Sequence, residues 1–180
     1  MGLFESKGYA ATTVDEIAAS AGTTRTTFYQ HFHSKSQLMQ AVIRDVDEIF
    51  TTADDPPLAL VIERGERALV EAWLERKFDQ WVVVRPHLTA TYQAAAIDPE
   101  IHASLDAWLE DVAGAIQEGL NRADRFDAAT RRVRAVLAFG QLEYLAKQWL
   151  RVGWVVDREI CLQILTDSWC HLLTEHTSDR

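Results

Sequence analysis

The pattern of apolar and polar positions reads as helices along the whole chain. Val14, Ile17 and Ala18 share one face of a short helix, and Phe28 points inward from a second. Leu38, Met39, Val42, Val46, Ile49 and Phe50 run along a longer third. Punctuation sets the ends. Gly8 stops a helix that carries Leu3, Phe4 and Lys7, since glycine readily takes the left-handed conformation beyond a helix C-terminus. Thr13-Val14-Asp15-Glu16 is a capping box, with Thr13 as N-cap and Glu16 three residues on. That helix reaches about Ser20, Gly22 breaks it, and the next spans about Thr24 to His31. Ser34-Lys35-Ser36-Gln37 is a second capping box, opening a helix that stops near Thr52.

Asp54-Asp55-Pro56-Pro57 divides the chain, because a residue before proline resists helix. The expected domains are 1–50 and 54–180. In the second, one helix runs from an Asp55 cap to Val84 and breaks at Arg85-Pro86. A shorter helix covers Leu88 to about Ala96. Asp98-Pro99-Glu100 restarts the chain as far as Asn121. Asp127 opens a helix to Arg151 that Gly153 ends, and Asp157 opens the last, to about Glu175. These last two helices are apolar nearly all round: Val133, Val136, Leu137, Phe139, Leu142, Tyr144 and Leu145, then Ile160, Leu162, Ile164, Leu165, Trp169 and Leu172. A surface helix needs one apolar stripe. Helices buried on two sides predict a second subunit packed as a four-helix bundle.

The chemistry concentrates between Leu3 and Val42. Two short helices separated by Ala21-Gly22-Thr23 have the spacing of a helix-turn-helix. Ala18, Ala19 and Ala21 let the helices approach, while Phe28 and Phe32 fill the core beneath. Thr24, Arg25, Thr26, Thr27 and Tyr29 remain on or near the outer face. Arginine reads guanine bidentately, and threonine bonds base edges or touches a thymine methyl. Hydroxyls, tyrosine and lysine bond phosphate, and Lys35 sits at a helix start, where phosphate is favoured.

Phe4 to Tyr9, Thr12 to Ala18, Ala21-Gly22 and Thr27 to Leu38 together resemble the DNA-binding domain of the tetracycline-repressor (TetR) family, over about the first quarter of the chain. The resemblance implies an all-α fold: an N-terminal three-helix, helix-turn-helix domain, then a C-terminal helical domain for ligand binding and dimerisation. It implies a homodimeric, cytoplasmic, one-component regulator, most often a repressor. Such a protein binds a palindromic operator and is released by a small effector. By position, Thr24, Arg25 and Thr27 look like base-contacting residues, and Thr13, Tyr29, His31 and Lys35 like backbone-contacting ones. Thr26 ranks second. Family members usually have a longer first helix preceded by a basic arm. The present chain starts inside that helix, at Met1-Gly2-Leu3-Phe4, so weaker DNA binding than in a longer version is expected. The competing class is a small-molecule binding or interaction module whose helix-turn-helix no longer binds DNA.

Composition changes this picture in two places. The net charge of −9 argues against a nucleic-acid binder. Residues 1–44, however, set Lys7, Arg25, Lys35 and Arg44 against Glu5, Asp15 and Glu16, a net of +1, so the acidity belongs to the rest of the chain. The second domain is rich in aromatics. Trp73, Trp81, Tyr92, Trp108 and Tyr144, with Gln141 and Gln148 flanking Tyr144, are the expected lining of a site for an apolar or amphipathic effector.

Other chemistries find no pattern. His31, His33, His87, His102, His171 and His176 are scattered, and His171 and His176 are five apart rather than the four of a zinc pair. Cys170-His171 lacks further ligands at zinc spacing. No phosphate loop or nucleophile elbow occurs, so neither catalysis, metal nor cofactor is expected. Cys161 and Cys170, nine apart on one helix, are roughly 13.5 Å apart along its axis, too far for a disulfide. Apolar runs fall short of the ~20 residues that span a bilayer. Met1 to Ser6 fits the N-myristoylation pattern, but the segment reads better as helix.

Overall fold

The computed structural model of the protein describes residues 2–174. Met1, Glu175 and His176 lie outside them. The described residues form nine helices and no strand: α1 (Gly2–Ala11), α2 (Val14–Ser20), α3 (Arg25–His31), α4 (Lys35–Thr52), α5 (Leu58–Arg64), α6 (Arg67–Ala95), α7 (Pro99–Arg122), α8 (Ala128–Val152) and α9 (Arg158–Leu173). They divide into two compact units, residues 2–49 with 83–108, and residues 50–82 with 109–174.

Most ends follow the expected capping chemistry. Thr13 Oγ1 accepts from the Glu16 amide, and the Glu16 carboxylate accepts from the Thr13 amide at 3.0 Å, closing the box on α2. Asp98, Asp127 and Asp157 accept from the first amides of α7, α8 and α9. Gly8 has φ 76°, so it interrupts α1 where the helix was expected to stop. In the second box the Ser34 hydroxyl caps the Gln37 amide, while the Gln37 side chain accepts from His33 rather than from Ser34.

The expected helix from Asp55 to Val84 is corrected at both ends. Its first turn starts after Pro57 with no side-chain cap, and it stops at Gly65. Gly65 adopts φ 68°, a conformation that favours glycine, so α5 and α6 are separate helices. The expected break at Arg85-Pro86 does not occur, because α6 runs through Pro86 to Ala95. Proline removes the bond to the carbonyl four residues back, here Val82. Buried Val84, Leu88 and Ala90 on either side of the proline hold the helix together. The division between the units falls at Val82 and Val83, where that bond is missing.

The first unit therefore includes more than the N-terminal helices. Residues 83–108 are tied to them by Asp98 Oδ2, which accepts from Tyr9 Oη at 2.9 Å and Ser36 Oγ at 2.6 Å. Trp108 Nε1 adds a bond to Asp47 Oδ1 at 2.9 Å. The Ser36 bond most of all, with the Tyr9 bond and the Ile101 and Glu100 amides, holds the Asp98 carboxyl below its usual range. Burial pushes the Tyr9 phenol up to about 12.

The second unit has one apolar core, from Leu58, Val61 and Ile62 through Trp73, Leu74 and Phe78 to Trp169 and Leu173. Gly119 sets its tightest approach. A Cβ there would lie 2.4 Å from the Ala59 carbonyl oxygen, so only glycine lets α7 pass α5 at this distance. Arg125 donates to the carbonyls of Ile62, Glu63 and Leu173, closing the C-terminal ends of α5 and α9. Cys161 and Cys170 are both free thiols, and burial raises the pKa of each.

Candidate nucleic-acid interface

Helices α2 and α3 build the site. Between them the chain turns through Ala21 to Thr24, with Gly22 at φ 66°. Thr24 caps α3, its hydroxyl accepting from the Thr27 amide at 3.2 Å and bonding the Thr27 hydroxyl at 3.0 Å. Phe28 is buried, lying 5.6 Å from the half-buried Phe32 ring, and this fixes which side of α3 faces out. The outward side presents Arg25, Thr26, Tyr29 and Gln30. Arg25 Nη1 donates to Asp15 Oδ2 of α2 at 3.0 Å, and its guanidinium lies 5.6 Å from the Tyr29 ring centroid. The guanidinium is thus held at the surface between two neighbours. Both Arg25 and Asp15 are well exposed, so the pair contributes little stability.

The sequence-derived residues fall into three groups. Arg25, Tyr29 and His31 are exposed on α3, and Thr24 is exposed at its N-cap. Thr27 is half-buried against the Thr24 hydroxyl, so it presents less of itself than expected. Thr13 is exposed but already engaged with Glu16. Lys35 points inward. Its Nζ donates to the carbonyls of Tyr9 at 2.7 Å and Thr12 at 2.9 Å and lies 4.1 Å from the Tyr9 ring centroid. Burial lowers its pKa. Two of its three donors are committed to closing the end of α1, which corrects the picture of a lysine held out for phosphate. Gln30 was missed. Its position, four after Thr26, places it on the outward stripe, and an amide side chain can pair with adenine.

The residues expected to line an effector site are distributed over both units. Trp73 is buried, stacks on Trp169 at 5.5 Å and donates to Asp54. Trp81 is buried in a group with Phe78, Trp149 and Trp154. Tyr92 and Trp108 belong to the first unit. Tyr144 is 66% exposed, and its hydroxyl accepts from Gln148 at 2.8 Å. Gln141, also exposed, accepts from Ser168 at 2.9 Å. Gln148 and Tyr144 are bonded on α8, and Tyr144 and Gln141 are both exposed.

An all-helical protein with an exposed, polar second helix in a helix-turn-helix belongs to the class of major-groove DNA binders. Residues 1–42 match the family of bacterial regulatory proteins described as the tetR family. The chain is 27% identical over 177 residues to the HTH-type transcriptional regulator TcmR of Streptomyces glaucescens, covering 92% of this chain and 71% of that protein. It is 26% identical over 167 residues to the HTH-type transcriptional activator FasR of Mycolicibacterium smegmatis, covering 89% and 73%. A TetR-family regulator from Mesorhizobium loti has the same fold, with a TM-score of 0.69 at 17% identity, over 96% of this chain and 90% of that one. The N-terminal region thus matches the tetR family of bacterial regulatory proteins, and most of the chain is similar to HTH-type transcriptional regulators. None of the described helices is long and apolar enough to cross a membrane.

Proposed function

We propose that the protein is a homodimeric, ligand-responsive repressor that holds a palindromic operator and leaves it when a small apolar or amphipathic molecule enters the second unit. The outer faces of α8 and α9 carry this reading. Val133, Val136, Leu137 and Tyr144 on α8, and Ile160 and Ile164 on α9, stand between 45% and 66% exposed in a single chain. Apolar area left in water costs about 25 cal/mol per Å². A second copy of the same face removes it, since a two-fold interface is self-complementary. Gly140 lies in the same α8 stripe with open space where its Cβ would be. Glycine inside a helix costs about 1 kcal/mol relative to alanine. Close approach of a partner backbone gives that glycine a purpose.

In the dimer, each α3 enters a major groove, with half-sites about 34–36 Å apart or somewhat more. Arg25 reads a base edge, and Thr24, Tyr29 and Gln30 add base or phosphate contacts. Effector binding shifts the population toward a form whose recognition helices no longer match that spacing. The shift depends on differential affinity for the two forms, not on tightness alone. Repression follows where the operator overlaps the promoter. The test is light scattering of the purified chain, with a gel shift on the DNA flanking its own gene at two salt concentrations. A dimer that shifts this DNA supports the reading. A monomer, or no shift at low salt, overturns it, the latter in favour of a binding module that has lost DNA. A promoter reporter reads the sign, and activation would overturn repression alone.

A further inference from the structure

Between Thr13 and His31 the only lysine or arginine is Arg25, set against Asp15 and Glu16. Glu16 is taken by Lys7 and by its capping bonds with Thr13. Asp15 is the carboxylate that meets Arg25. Its Oδ2 accepts from Arg25 Nη1 at 3.0 Å, joining α2 to the start of α3. The two side chains are 63% and 60% exposed, so water screens the pair and folding gains little from it.

What the pair does fix is direction. Asp15 takes Nη1 at one end of the guanidinium. The Tyr29 ring centroid lies 5.6 Å from its central carbon, over one face. Tyr29 is itself anchored, set edge-on at 90° and 5.4 Å against the buried Phe28 ring. The Nε/Nη2 edge remains, and its two parallel N–H groups match guanine O6 and N7.

A carboxylate on this surface also weakens binding to DNA in general. Phosphates repel it on every sequence, and it cancels the pull of the cation beside it. Only a duplex that gives the Arg25 edge a good partner offsets that loss. An arginine without such a partner bonds phosphate on any duplex. Specificity is a difference of affinities, so a group that weakens the wrong complexes raises it.

We infer that Asp15 is a specificity-determining positioning residue for operator binding: its carboxylate aims Arg25 at a guanine and keeps it from the phosphates. The inference rests on the DNA-binding role of α3 and adds to it a residue of α2 that acts through Arg25.

The test starts by selecting an operator from random duplexes with the full-length wild-type chain. Binding to that operator and to a scrambled duplex is then measured by fluorescence anisotropy at several salt concentrations. Asp15→Asn should bind the scrambled duplex more tightly, with a salt slope steeper by about one. It should lose about tenfold in preference for the operator, and at the same base pair that Arg25→Ala relaxes. Asp15→Asn combined with Arg25→Ala should lose no more preference than Arg25→Ala alone, since the two residues act as one unit. An equal gain on both duplexes would reduce Asp15 to a general negative charge. An equal loss on both would reduce it to a support of α2. Either result overturns the inference, as does no change, or a preference lost at a different base pair. A wild type that enriches no sequence is a separate result: it overturns DNA recognition by the chain, and this inference with it.

Discussion

Helix α3 and the outer faces of α8 and α9 are both open to water, and they are open in opposite ways. On α3 the exposed side chains are Arg25, Thr26, Tyr29 and Gln30, whose polar groups water already satisfies. On α8 and α9 they include Val133, Leu137, Tyr144, Ile160 and Ile164, which gain by leaving water. Exposure alone marks neither as a site. The chemistry of what is exposed says which partner fits: a surface of donors and acceptors in one case, a matching apolar surface in the other. In the proposed dimer the two demands are linked, because pairing the apolar faces would give one molecule two recognition helices.

The strongest way to break this contrast is to charge the apolar face. Leu137→Glu combined with Ile164→Glu should give a helical monomer by circular dichroism and light scattering. Operator affinity should fall about a hundredfold or more, because the second half-site is no longer held nearby. A dimer that persists would place the interface elsewhere. On the polar side, Arg25→Ala should cost roughly 1–3 kcal/mol of operator binding and relax one base position, read by binding to a panel of substituted operators. A uniform loss over the panel would make Arg25 a backbone contact instead.

Lys35→Ala sharpens the division within the N-terminal region. With Nζ bonded to the Tyr9 and Thr12 carbonyls, its loss should lower stability by about 2 kcal/mol in a denaturant titration. The salt dependence of DNA binding should stay unchanged. A slope smaller by about one would return Lys35 to the phosphate contacts. The smallest effect concerns pH. The Lys7 ammonium, with the Thr13 amide and hydroxyl, lowers the Glu16 carboxyl from 4.5 to about 2. A carboxyl depressed on folding stabilises fully above its unfolded value, and that contribution fades as pH falls from 4.5 toward 2. Glu16→Gln should therefore shift the acid unfolding of the protein only slightly, and should flatten its pH dependence in that window. An unchanged acid transition would mean that the exposed pair contributes nothing.

Where a signal is local, the sequence carried it. Thr13, Asp98, Asp127 and Asp157 cap the helices they were expected to cap, because a cap bond spans two or three residues. The outward side of α3 was legible for the same reason, once Phe28 marked the inward side. Pro86 shows the limit. Its local preference is to end a helix, yet burial of Val84, Leu88 and Ala90 around it outweighs one missing bond. Lys35 shows another. A helix start favours phosphate, but whether the amine turns outward depends on carbonyls more than twenty residues earlier in the chain.

The sequence by itself determined the helical class, most helix ends, the helix-turn-helix and the character of the face it presents, because these follow from periodicity and short-range capping. Tertiary structure alone decided which side of a uniformly apolar helix such as α8 is inside. It assigned residues 83–108, with Tyr92 and Trp108, to the N-terminal unit. It also brought Asp54, Trp73, Arg76 and Lys77 together. Spacing along a chain fixes which side chains share a face. Only packing between distant segments fixes what that face meets.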